Sequence, residues 1–291
     1  MSTPDLLAGR GAVVVGGTRG IGRAVSELLC RMGARVVVNG RDPDVVAQCV
    51  DSLTAAGGDA VGVAGAADDE HVAAGLIEAC TQSFGRLDIL INCAGIAEPP
   101  GSSILRIAPA EFDTLIGAHL GTVFHTCRAA APVMAAQGHG TIVNTGSVAF
   151  LGDYGGTGYP AGKAAVNGLT MAMAAELKSA GVRANVVCPG ARTRLSTGPE
   201  YERHIGELHR RGLLDEMTMR ASLDPAPPAF VAPLYAYLAS DLAGEVTGQI
   251  LFGAGGFVGR FGRPTPALLG YRDHNDSRPW SVDELHVMIA G

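Results

Sequence analysis

Short apolar runs alternate along the chain with stretches whose apolar residues recur at helical spacing. Residues 11–15 (GAVVV) read as a strand, whereas Val25, Leu28, Leu29 and Met32 fall on one face of a helix over 23–32. The alternation continues with strands at 35–39, 60–64, 87–92, 141–144, 182–187 and 249–252. Helical patterns over 45–56, 70–84, 111–137, 160–180 and 229–240 separate them, the first announced by Asp42-Pro43. Several strands are unbroken Val/Ile runs, as a sheet covered on both faces requires. The pattern predicts an α/β fold, a doubly wound parallel sheet of about seven strands with helices on both faces.

Two stretches break the rhythm. Residues 191–228 are charged and interrupted by Gly and Pro, which predicts a lid or binding loop. The tail ends in Ser281-Val-Asp-Glu284, a capping-box pattern that predicts a last short helix. No repeat and no linker divides the chain. One domain over 1–258, including the lid, with a C-terminal extension over 259–291 is the expected organisation.

Composition narrows the function classes. With 47% hydrophobic and 17% charged residues the chain is not disordered. Twenty-two basic against 28 acidic residues, a net charge of −6, leave no electrostatic footprint for nucleic acid. The six cysteines are scattered without a CxxC pair, so they read as buried hydrophobes in a reducing compartment, not as disulfides or metal ligands. No apolar run approaches the ~18 residues that span a bilayer, and the N-terminus lacks a signal-peptide pattern. A cytoplasmic protein without membrane contact is expected.

Candidate chemistry lies at both ends of the predicted sheet's carboxyl edge. Gly16-Gly-Thr18-Arg19-Gly20-Ile21-Gly22 joins the first strand to the first helix, where backbone N–H groups approach a pyrophosphate, as in Rossmann-like folds. At the end of the second strand Asn39-Gly40-Arg41 carries no carboxylate before Asp42. An acid there would favour the ribose 2′-hydroxyl of NAD; Arg19 and Arg41 instead favour the 2′-phosphate of NADP. Tyr159 and Lys163 stand one helical turn apart, so a cation beside a phenol is expected to lower its pKa. Ser147, beyond the fifth strand, suits holding a substrate oxygen.

These pieces, with Asn92-Cys-Ala94-Gly95 and Asn185-x3-Pro189-Gly190, make the chain resemble the single-domain short-chain dehydrogenases/reductases over about residues 7–258. The resemblance implies that Tyr159 is the general acid/base and that Ser147 positions the carbonyl or hydroxyl. Lys163 would bind the nicotinamide ribose and depress the tyrosine pKa. Asn92, Ala94 and Gly95 would line the adenosine-ribose side, a segment that also stabilises the sheet in this family. Pro189-Gly190 would pass under the nicotinamide, and Thr193 would touch its carboxamide. A homodimer or homotetramer is implied too, with Tyr271, Arg272, His274 and Trp280 of the tail either reaching a neighbour or packing on their own subunit.

The chain departs from the family pattern in four places. His119 stands where an Asn usually serves the proton relay; relatives like hydroxyacyl-CoA dehydrogenases also carry His there, so it is read either as catalytic or as a buried structural residue. The interval from Ser147 to Tyr159 is one residue short, which is assigned to the 150–158 loop. Ala66 replaces an Asp that meets the adenine, with Asp68 and Asp69 read as helix N-terminal residues. Thr193 comes one position early.

Phe150 and Tyr154 are the candidate substrate contacts. The lid carries both charge signs, and Glu207 with Arg211 reads as an i,i+4 pair on a solvated helix. The sharper reading is a basic rim for the phosphates of a thioester carrier. The expected activity is NADP(H)-dependent interconversion of a secondary alcohol and a ketone, on a 3-oxoacyl/3-hydroxyacyl thioester or a ring ketone. The alternative is an NADP-binding sensor or scaffold without turnover. An epimerase or dehydratase would want a separate substrate domain.

Overall fold

The computed structural model describes residues 5–290, which form two compact units, one ending at Arg260 and one starting at Phe261. In the first, β1 (Gly11–Val15), β2 (Arg35–Gly40), β3 (Asp59–Ala64), β4 (Ile89–Asn92), β5 (Gly140–Thr145), β6 (Val182–Gly190), β7 (Ile250–Ala254) and β8 (Phe257–Arg260) build one sheet. Its order is β3-β2-β1-β4-β5-β6-β7-β8. All pairs are parallel except β7 with β8. The sheet therefore has eight strands where about seven were expected. The last is the return arm of a hairpin through Gly255-Gly256, a segment whose exposed Phe257 and Val258 show no core-facing pattern.

The helices that cover the sheet are α1 (Gly20–Arg31), α2 (Pro43–Ala55), α3 (Glu70–Phe84), α4 (Pro109–Ile116), α5 (Thr122–Gln137) and α6 (Gly158–Glu176), followed by α7 (Pro199–Arg210), α8 (Glu216–Leu223) and α9 (Ala232–Ala239). Each sheet face has its own core. Val14, Val36 and Val38 pack with Leu29 and Tyr235 on one side, and Val13, Val37 and Leu90 with Leu76 and Met134 on the other. This division follows from strand alternation, successive residues pointing to opposite faces.

Asn92 and Asn144, both buried, stitch the sheet to its helices. Asn92 Nδ2 donates to Asn144 Oδ1 at 2.9 Å, Thr126 Oγ1 donates to Asn92 Oδ1 at 2.9 Å, and Asn144 Nδ2 donates to Thr170 Oγ1 at 2.9 Å.

The expected helix over 111–137 is interrupted. Between α4 and α5 lies one π-helical turn, Gly117–Gly121, centred on His119. The 191–228 segment is not an irregular loop but contains α7 and α8. Within α7 the expected Glu207–Arg211 pair does not form, because Arg211 is already the C-cap; Glu207 pairs with Arg210 instead. Among the described residues, no helix is long and apolar enough to cross a membrane.

In the second unit, α10 (Val282–Ala290) starts with the expected capping box. Ser281 N donates to Glu284 Oε2 at 2.8 Å and Glu284 N donates to Ser281 Oγ at 3.2 Å. Arg272 lies 3.7 Å above the Trp280 ring and also pairs with Glu284, so these tail residues engage one another.

Candidate active site

The glycine turn sits at the carboxyl ends of β1 and β4. Gly16 takes φ +70, and a Cβ there would lie 2.8 Å from Ala94 Cα; at Gly22 it would lie 2.2 Å from Gly16 O. Only glycine permits this tight crossing from strand to helix. The turn is further braced by Asn39, whose amide donates to Val63 O and Gly65 O at 3.1 Å and accepts from Gly16 N at 3.4 Å.

The first acid after β2, Asp42, caps α2: its Oδ1 accepts from Asp44 N at 3.0 Å and from Val45 N at 3.4 Å. Asp69 caps α3 in the same way through His71 N and Val72 N, as its position after Ala66 suggested. Thr18 packs over Gly40, while the Arg19 and Arg41 side chains are exposed and have no ion-pair partner among the described residues. Thr193 reaches the turn from the segment after β6, its methyl 3.4 Å from where a Cβ on Gly20 would stand. Pro189 and Gly190 end β6 at the same edge. Ala94 and Gly95 stay beside the turn. Asn92 does not face a ribose with its side chain, which is buried in the network described above.

The chemical groups gather a few ångströms further along this edge. Ser147 heads a 3-10 turn, Val148–Leu151, its Oγ accepting from Ala149 N at 3.2 Å. Tyr159 and Lys163 project from the first turns of α6, with Lys163 Nζ 5.8 Å from the phenol ring centroid. Lys163 is 4% exposed and donates to Thr145 O at 2.8 Å. Burial lowers its pKa to about 8, against an opposing pull from Cys93 and Cys188.

The expectation that Lys163 acidifies Tyr159 is not met. Burial pushes the phenol above its ordinary value; the hydrogen-bonding Ser147 hydroxyl opposes this and Cys188 adds to it. Desolvation of the phenolate sets the direction, and the Lys163 ammonium is itself desolvated and turned toward a carbonyl.

His119 is clamped between Gly95 and Gly162. A Cβ on Gly95 would stand 3.0 Å from its Cε1, and one on Gly162 3.1 Å from its Cβ. Its ring meets Tyr159 edge to face at 4.9 Å, and Nε2 bonds Ile96 O at 3.1 Å. A carbonyl only accepts, so Nε2 carries the proton and Nδ1 is a bare acceptor, buried without a partner among the described residues. Burial, then the Lys163 charge, lower its pKa to about 3.

Phe150 lies half-buried in the 3-10 turn after Ser147. Tyr154 is engaged by the lid: its hydroxyl lies 3.2 Å from Ser222 Oγ, and its carbonyl accepts from His204 Nε2 at 2.9 Å. It packs with Tyr201 against Ile205, Leu208 and Leu214, a small core belonging to the lid. Tyr201 escaped the sequence reading. Burial raises its pKa to about 12, Tyr154 and Tyr159 adding to the shift, so it is a third phenol near the site. Glu98 was also missed, since a carboxylate in a proline-rich loop carries no motif.

A family model for short chain dehydrogenase matches residues 10–198. The chain belongs to this family. It is an NAD(P)-dependent oxidoreductase acting on hydroxyl or keto groups of small molecules. A 3alpha-hydroxysteroid dehydrogenase of Mediterraneibacter gnavus is 35% identical over 249 residues, 84% of this chain and 96% of the relative. The hydroxyacyl-CoA dehydrogenase ChsB1 of Mycobacterium tuberculosis is 34% identical over 99% of this chain and 89% of its own. The crystal structure of a short chain dehydrogenase from Mycobacterium avium superposes with a TM-score of 0.79 at 33% identity, covering 98% of this chain and 94% of that one.

Proposed function

We propose that the protein is an NADP(H)-dependent reductase that interconverts a 3-oxoacyl and a 3-hydroxyacyl thioester, with Tyr159 as general acid/base. The observation that carries this reading is the placement of Tyr159 beside Ser147 and the buried Lys163, along one sheet edge with a glycine cradle.

The residues present fit a dinucleotide. The glycines let the turn's backbone close tightly against Ala94 where α1 begins, and the buried Lys163 Nζ has one acceptor for its three donors among the described residues. Gly16, Thr18, Gly20, Ile21 and Gly22 would cradle the pyrophosphate, Arg19 and Arg41 would hold the 2′-phosphate, and Lys163 the nicotinamide ribose. Ala94, Gly95, Pro189, Gly190 and Thr193 would flank the remainder. When bound, the dinucleotide supplies or takes up the hydride.

The chain's own part is the proton. Ser147 donates a hydrogen bond to the carbonyl oxygen, and Tyr159 gives that oxygen its proton as negative charge grows on it. A phenol with a raised pKa holds its proton at neutral pH, as the proton donor of the reduction must. The bare Nδ1 of His119 lies in the same buried space as the Lys163 ammonium, where it serves as acceptor for a relay water.

Thioester substrates are favoured by the hydroxyacyl-CoA dehydrogenase relative, because its similarity extends over the tail as well as the main unit. Exposed Arg203 and Arg211 on the lid suit carrier phosphates. The 3alpha-hydroxysteroid dehydrogenase supports a ring ketone as second reading. A sensor without turnover would have no use for the Ser147, Tyr159 and Lys163 set. We place the enzyme in the cytoplasm as a homodimer or homotetramer.

The test is Tyr159→Phe assayed with NADPH and acetoacetyl-CoA. Turnover falls at least about a hundredfold with cofactor binding retained, in line with the usual worth of a general acid. A variant that keeps its turnover sinks the mechanism.

A further inference from the structure

The helix that carries Tyr159 begins without a cap of its own. Thr157, at its N-cap position, makes no side-chain capping bond, and its hydroxyl is buried with no partner among the described residues. The first backbone N–H groups of a helix need acceptors, and leaving them unmade in a half-buried place is costly. A carboxylate from elsewhere meets them. Glu98 Oε1 accepts from Thr157 N at 2.9 Å and from Gly158 N at 3.2 Å, and Oε2 accepts from Tyr159 N itself.

Glu98 is held for this task. Its Oε1 also accepts from Ser102 Oγ at 2.7 Å, and Gly156 leaves room for it, since a Cβ there would stand 3.1 Å from Glu98 Cδ. Those hydrogen bonds keep its carboxyl below the usual range although burial pushes the other way. Two residues earlier on the same segment, Ile96 O holds the His119 ring that packs edge to face on Tyr159.

We propose that Glu98 is a positioning residue for Tyr159: it caps the catalytic helix across the fold, and together with Ile96 the loop after β4 fixes both rings of the site. This rests on the reading of Tyr159 as the acid/base. An anion at a helix N-terminus also opposes the positive end of the helix macrodipole, so the carboxylate suits this position electrostatically. The consequence is specific. Loss of Glu98 loosens the first turn of α6 and costs turnover, while the glycine cradle, built on β1 and α1, still binds cofactor.

The test compares wild type, Glu98→Gln, Glu98→Ala and Tyr159→Phe. Turnover is followed with NADPH and acetoacetyl-CoA, NADPH affinity by its fluorescence, and the 157–159 amides by hydrogen exchange. Glu98→Ala is expected to lose at least about tenfold in kcat with the NADPH Kd within twofold, and to speed exchange of the three amides about tenfold. Glu98→Gln keeps an accepting oxygen but not the charge, so it falls between the two and carries the test if the alanine variant does not fold.

The proposal is overturned if kcat stays within twofold, if the amides exchange as in wild type, or if NADPH affinity falls in step with kcat. An inactive Tyr159→Phe beside an unaffected Glu98→Ala defeats the Glu98 proposal alone. An active Tyr159→Phe defeats the acid/base reading, and Glu98 is then judged by amide exchange.

Discussion

A histidine whose ring is neutral because it is buried stores a pH dependence. His119 has a folded pKa of about 3, against about 6.5 in an unfolded chain. Below pH 6.5 the unfolded chain takes up a proton that the folded chain refuses. The stability tied to neutral His119 is therefore complete above about pH 6.5 and is lost as pH falls toward 3, at about 1.4 kcal/mol per pH unit. Urea unfolding between pH 7.5 and pH 5 is expected to show wild type losing stability more steeply than His119→Asn. Parallel slopes would mean that the ring takes up its proton in place. Arg41 offers a second test at this scale. A guanidinium bonded to a phosphate is worth about 1.5–3 kcal/mol, so Arg41→Ala should weaken NADPH about tenfold or more and leave NADH unchanged. Fluorescence titration with both cofactors reads this directly.

At the scale of elements, the lid is a small structure with a core of its own. Ile205, Leu208 and Leu214 are buried there, and Tyr154 ties it to the loop after Ser147 through Ser222 and His204. Truncating a buried Ile removes about 2–5 kcal/mol, more than so few contacts sustain. Ile205→Ala is expected to open 195–228 to limited proteolysis while thermal unfolding of the sheet stays within a few degrees of wild type; equal digestion of both proteins would refute a separate lid core.

The same elements mark how far the sequence is legible. The inner strands β1, β2 and β4 are Val/Ile-rich runs with no polar alternation, buried on both faces, and so read as strands of a covered sheet. Gly16, Tyr159 and Lys163 form spaced motifs, so they too stand out. The π turn at His119 looks like continuous helix, because inserting one residue into a turn barely disturbs apolar spacing. In the lid, a solvated helix is legible around Glu207, but its extent is not, and α8 is hidden because it buries no residue, α7 burying only Ile205 and Leu208. Glu98 makes its contacts 59 to 61 positions away, a relation that no local pattern encodes.

For the molecule as a whole, the sheet's two edges divide the work. The carboxyl edge leaves donors and acceptors unmatched at Lys163 and His119, as a site must. The opposite edge is closed by charge. Asp88, with a side chain 1% exposed, accepts from Gly11 N at 2.9 Å and pairs with Arg86 at 2.6 Å and Arg10 at 3.3 Å. Arg10 continues to Asp241, beyond α9, at 2.7 Å. One carboxylate thus joins the starts of β1 and β4, two neighbouring inner strands, to the last helix of the sheet. Burial pushes the Asp88 pKa up, but the hydrogen bonds from Arg86, Gly11 N and Arg10 outweigh it and hold the group below its ordinary value. A carboxyl depressed in the folded state adds stability above the unfolded pKa, near 4, and that stability is lost as pH falls through the lower folded value. Asp88→Asn leaves Arg86 without its carboxylate, while Arg10 keeps Asp241, and is expected to cost about 3 kcal/mol at pH 7, toward the low end for a broken buried pair because Arg86 is half-exposed. Since the site lies at the other edge, kcat and NADPH affinity of the folded variant should match wild type. Urea unfolding at pH 7 and pH 3 should show the gap between the two proteins closing as Asp88 becomes protonated. A gap that persists at pH 3 would show that the carboxylate's charge is not what holds this edge together.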